Sequence, residues 1–135
     1  MKASSLSFQA GVVLLVVGMI WGIQMGMSKD HAAMPAHAHL NLLGFVSLFL
    51  FGFYYRLHPS LDRSRAALAQ ITVWIVGTIT MTIGVGLVHT GNDDGEPLAA
   101  IGSLVVLAAV FIFGWKVYRY ERGITGELNA VAPPE

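Results

Sequence analysis

The sequence predicts an all-α fold, an integral membrane four-helix bundle, and three observations carry that expectation. First, 55% of the 135 residues are hydrophobic and only 12% are charged. A soluble domain of this size would need about twice that charge to cover its surface. Second, the apolar residues gather into four continuous runs of about 20 residues or more, the length a helix needs to cross the hydrocarbon core. Third, the runs are continuous rather than alternating. A membrane barrel needs about eight or more short alternating strands, whereas helices satisfy their own backbone hydrogen bonds in lipid.

The predicted spans are residues 8–27, 35–57, 66–89 and 97–118, followed by a short tail over 123–135 in one membrane domain. The first holds no ionisable side chain, and Ser28-Lys29-Asp30 closes it. Pro35 suits the first turn of the second helix, where a missing N–H is harmless. His58-Pro59-Ser60 ends that helix, because proline disfavours helical geometry in the residue before it. Gly91-Asn92-Asp93-Asp94-Gly95 is a turn-forming break, and Pro97 opens the fourth helix. Pro133-Pro134 marks a frayed end. The first run is too long and too glycine-rich for the apolar core of a cleaved signal peptide, despite Ala36-His37-Ala38 downstream.

Charge sets the expected orientation. Lys2, then Arg56, Arg63 and Arg65, then Lys116, Arg119 and Arg122 all fall at one end of a four-span chain. The other end has Lys29 with Asp93, Asp94 and Glu96. The positive-inside rule then places both termini in the cytoplasm, in a bacterial-type inner membrane. The formal net charge is zero, so no attraction to nucleic acid is expected.

Packing is expected to use small residues. Gly18, Gly22 and Gly26 repeat every fourth residue of helix one, and Gly77 and Gly84 lie one heptad apart on helix three. This spacing lets helices approach closely in lipid. Trp115, Tyr118 and Tyr120 read as interfacial anchors, while Trp74 and Trp21 read as packed side chains.

The chain has no cysteine, so any metal is held by His, Met, carboxylate or backbone oxygen. Five histidines are then the residues to explain. His58 lies alone at the basic end and reads as an interfacial residue. His31 falls in the first loop, His37 and His39 in the opening turns of helix two, and His89 in the last turn of helix three. Histidine inside a membrane helix is costly and commonly a ligand or relay. Residues two apart on a helix are rotated by about 200°. His37 and His39 therefore serve two different flanks of helix two rather than one small ion. Bis-imidazole haem, with one histidine on each side of the macrocycle from different helices, fits this arrangement. Leu40, Leu42, Leu43 and Phe45 could wall such a pocket. Asn41 and Gln24 are candidates to orient an imidazole, and Met34 is apolar filler or an alternative ligand.

The run His37-Ala-His-Leu-Asn-Leu-Leu-Gly44, continuing to Phe53-Tyr-Tyr-Arg-Leu-His-Pro59, resembles helices of the haem–copper oxidase superfamily. It is similar to the catalytic subunit of cytochrome oxidases and nitric oxide reductases, in the form of a small stand-alone module. In that subunit twelve helices form three arcs of four, and a His-x-His on the second helix of one arc serves two haems. The resemblance implies that this chain corresponds to one arc, that His37 and His39 ligate haem b, and that three copies rebuild the ring as a homotrimer. The chain departs from the family in having no adjacent His-His pair and no mid-membrane Asp, Glu or Lys. A full oxygen- or nitric oxide-reducing enzyme is therefore not expected. The expected function is haem-based electron transfer, between quinol and an outer-side redox protein, or gas sensing. The alternative is a non-haem module for copper, zinc or transport using His31, His37, His39 and His89, or an assembly factor.

Overall fold

A computed structural model describes the backbone of residues 1–131 and the side chains through residue 123. The described residues are helical apart from short connections. Four helices are long and apolar enough to cross a membrane: α1, Ala3–Ser28; α2, Met34–Leu57; α3, Arg65–His89; and α4, Gly95–Val131. A one-turn helix, Pro59–Asp62, joins α2 to α3. Each expected span is present, and the differences lie at the ends and inside α2.

α1 starts five residues earlier than the apolar run indicates. Its first-turn donors find a carboxylate far away in sequence: the Ser4 N–H and hydroxyl both donate to buried Asp62, at 2.7 and 2.9 Å. An acceptor and negative charge at a helix N-terminus satisfy orphan N–H groups and complement the dipole. At its other end Lys29 adopts the left-handed conformation, φ 55°, and stops the helix as a C-terminal cap.

α2 is not a uniform α-helix. Residues Leu42–Ser47 form a π-helical turn, whose wider winding leaves carbonyls free for other donors. Trp74 Nε1 of α3 donates to Leu43 O at 3.0 Å, and Ser47 Oγ donates to Leu42 O at 3.1 Å. Trp74 is 3% exposed, so the expectation of a packed tryptophan holds, and the side chain also pins the irregular turn.

α4 continues well past Tyr118, where apolarity ends. Lys116 to Arg122 mark the limit of the lipid-facing stretch, but they do not break a helix. Thirty-seven residues extend for about 55 Å, beyond a hydrocarbon core of about 30 Å. The expected tail is thus helical as far as Val131, and Pro133-Pro134 lies outside the described residues.

The helices pack as α1 on α2, α2 on α3 and α3 along α4, with a smaller contact between α1 and α3. α1 and α4 share no extended interface, and α4 is the least buried span. The α3–α4 contact is the tightest. An added Cβ at Gly84 would strike the Ala99 backbone, one at Gly102 the Met81 backbone, and one at Gly77 would lie 2.9 Å from Val105 and 3.0 Å from Val106. Gly18 and Gly22 of α1 pack against α2 of the same chain, whereas Gly26 faces open space.

The core lies toward the basic end, where Leu48, Phe51, Tyr55, Ala67, Ile71, Trp74 and Ala109 form one buried cluster. A polar chain crosses it. The Tyr55 hydroxyl donates to Gln70 Oε1 at 3.0 Å, and Gln70 Nε2 donates to Ala109 O at 3.4 Å. One side chain thereby ties α2, α3 and α4 together.

Candidate functional site

His37 and His39 lie in the first turns of α2, at the end remote from that core. Pro35 sets the entry to the helix, and the α-helical geometry sends the two imidazoles to opposite flanks.

His37 turns toward α1. A Cβ at Gly22 would lie 3.0 Å from its Cε1, and the Trp21 ring meets it edge-on at 6.3 Å between centroids. Asn41 Nδ2 lies 3.1 Å from His37 Nε2. The absent side chain at Gly18 makes room for the Asn41 amide. The glycines of α1 thus form two recesses, one for Asn41 and one for His37. Asn41 Oδ1 is buried with no hydrogen-bond partner, an energetically unfavourable state for a buried acceptor. The same amide nitrogen is 3.4 Å from His37 Nδ1, so it sits beside the ring, nearly equidistant from its two nitrogens, and commits neither of them.

His39 is held differently. Its Nδ1 lies 2.7 Å from the Pro35 carbonyl. A carbonyl only accepts, so Nδ1 carries a proton, and in the neutral ring Nε2 has the lone pair. Metal-ligating histidines are commonly fixed in this tautomer by a backbone carbonyl. His39 is half-buried and no protein donor meets its Nε2 among the described contacts. Its Nε2 is therefore the ring nitrogen left to meet a ligand.

The other histidines are more exposed or lie elsewhere. His89 Nδ1 is 2.9 Å from Val85 O and His31 Nδ1 is 3.2 Å from Lys29 O, both on exposed side chains. Among the described residues, no group of three or more His, Asp or Glu comes together to hold an ion. His31, His37, His39 and His89 therefore share an end of the molecule without forming one cluster in a single chain. His58 sits at the basic end as expected, against Tyr54 and Tyr120, with Nδ1 2.6 Å from Tyr54 O.

Of the expected pocket walls, Leu40 is buried, Leu43 and Phe45 are half-buried, and Leu42 is exposed. Met34 is exposed, and Gln24 lines a cavity between α1 and α3 rather than contacting a histidine. That cavity, about 370 Å³, also takes in Trp21, Met25, Thr82 and Gly86. Thr82 is 5% exposed and its hydroxyl has no partner. Trp21 lies between this cavity and His37. Trp21, Gly18 and Gly22 are site residues that the histidine spacing alone does not reveal. The matching four-residue steps of Gly18–Gly22 and His37–Asn41 carried the signal.

Comparisons with protein-family models, with characterised proteins and with solved structures give no match to this chain.

Proposed function

We propose that the chain is a haem b-binding integral membrane protein that carries electrons, with His37 and His39 as axial ligands supplied to different haems. The observation that supports this most is the state of His39: Nδ1 is anchored on the Pro35 carbonyl, Nε2 is unpartnered, and a second imidazole leaves the same turn on the opposite flank. A bound haem would supply reversible one-electron exchange at its iron. The chain's own contribution is to hold two imidazoles on opposite flanks of one turn, with the His39 ring oriented by the Pro35 carbonyl.

Because the two rings diverge, a bis-histidine site takes His37 from one copy and His39 from another. A closed homotrimer repeats that pairing at each boundary. The open arrangement, with α1 and α4 not packed together, leaves both outer helices available to such neighbours. The basic end faces the cytoplasm of a bacterial-type inner membrane under the positive-inside rule, which puts the histidines near the outer surface. An outer-side redox protein or quinol would exchange electrons there.

The experiment is haem content and the reduced absorption spectrum of purified His37→Ala and His39→Ala proteins, with His31→Ala and His89→Ala alongside. Each of the first two is expected to lose six-coordinate haem, and the second two to keep it. Full haem spectra in both His37→Ala and His39→Ala would overturn the assignment.

A further inference from the structure

A second groove lies away from the histidines, at the basic end, between the start of α3 and the last membrane turns of α4. It has a volume of about 750 Å³. Ser64 and Ala66 border it on the α3 side, with Leu61 from the preceding turn. On α4 it follows two adjacent rows, Phe111–Trp115–Arg119 and Ile112–Lys116–Tyr120. Residues four apart lie above one another on a helix, so these rows form a single stripe.

The stripe changes character along its length. Phe111 and Ile112 are apolar, Trp115 is amphipathic, and Lys116 and Arg119 are cationic, over a rise of about 12 Å. Lys116 is half-buried and Arg119 is exposed, and both line the groove. No Asp or Glu is among the lining residues. The opposite wall adds a helix N-terminus. Ser64 Oγ accepts from Ala67 N–H at 3.1 Å, but the first-turn N–H groups of Arg65 and Ala66 have no intrahelical acceptor. A helix N-terminus favours phosphate.

We propose that this groove binds one anionic phospholipid, its phosphate held by Lys116, Arg119 and the first turn of α3, and an acyl chain lying along Phe111, Ile112 and Trp115. The apolar-to-cationic order along α4 matches the order of tail, glycerol and phosphate in such a lipid. The cationic lining, with no carboxylate among the described lining residues, selects a net negative headgroup over a zwitterionic one. Basic pockets between membrane helices are suited to anionic headgroups for the same reason. This inference is independent of haem.

The test is native mass spectrometry of the full chain in detergent, titrated separately with phosphatidylglycerol and phosphatidylcholine of identical acyl chains. The expected result is one tightly retained phosphatidylglycerol per chain, preferred by about tenfold or more. Lys116→Gln combined with Arg119→Gln should abolish the preference, with helix content checked by circular dichroism. Arg56→Gln combined with Arg63→Gln removes the same charge outside the groove and should leave it intact. Equal retention of the two lipids, a preference surviving in the Lys116/Arg119 variant, or an equal loss in the Arg56/Arg63 variant would overturn the proposal. So would a second protein copy covering the groove that phosphatidylglycerol does not displace.

Discussion

The two ends of the bundle are held together by different means. At the basic end, side-chain hydrogen bonds join elements far apart in sequence: Ser4 to Asp62, and Tyr55 through Gln70 to Ala109. At the histidine end, every described side-chain hydrogen bond is local, spanning five residues or fewer. There the helices are joined by glycine against backbone, at Gly84 with Ala99 and Gly102 with Met81, and by the recesses at Gly18 and Gly22. Packing through small residues needs no polar side chain. It leaves imidazole nitrogens, the Asn41 carbonyl oxygen and the Thr82 hydroxyl uncommitted. The Ser7 and Tyr54 hydroxyls at the basic end are unpartnered as well, so the two ends differ in what joins their helices rather than in having polar groups to spare.

The comparison breaks most readily at the glycines. Gly84→Leu or Gly102→Leu would force a side chain into the backbone of the neighbouring helix, which cannot rotate away. A loss of at least about 3 kcal/mol is expected, read as a shift in the midpoint of unfolding in mixed detergent micelles. At the opposite end Asp62→Ala would strand two buried donors and remove a cap, for about 2 kcal/mol. Asp62→Asn keeps one acceptor and should lose about half as much. If Asp62→Ala is neutral, the hydrogen-bonded end has been misjudged. Tyr55→Phe is expected to lose about 1 kcal/mol in the same assay.

The smallest effect on stability sharpens the contrast most. Gly22→Ala places a methyl 3.0 Å from His37 Cε1, whereas Gly26→Ala meets nothing within 4 Å. Both should unfold within about 0.5 kcal/mol of the parent chain. Only Gly22→Ala should alter ligand uptake at His37, seen as a changed haem spectrum. Identical spectra for the two would detach the α1 recess from the site.

The spans were legible because their lengths and apolarity are local properties. The start of α1 was not, since it depends on a carboxylate 58 residues away. The π-helical turn of α2 was equally hidden. Nothing in Leu42–Ser47 announces it, and the indole of Trp74 that meets Leu43 O comes from another helix. Apolarity places the end of the α4 span where charge begins, yet charge ends a membrane span and not a helix. In the site, the divergence of His37 and His39 followed from helical rotation alone. The pairing of His37 with Asn41 was foreshadowed only as an orienting role for the asparagine. Its seat against Gly18 and Gly22 required knowing which helix face meets α1.

The most direct measurement is a reduced-minus-oxidised absorption spectrum of the protein purified from membranes in which haem is available, with haem quantified per chain and native mass determined in the same detergent. The account predicts sharp bands of six-coordinate b-type haem, at about one haem per chain, in a species of three copies. A colourless protein expressed under those conditions would contradict it.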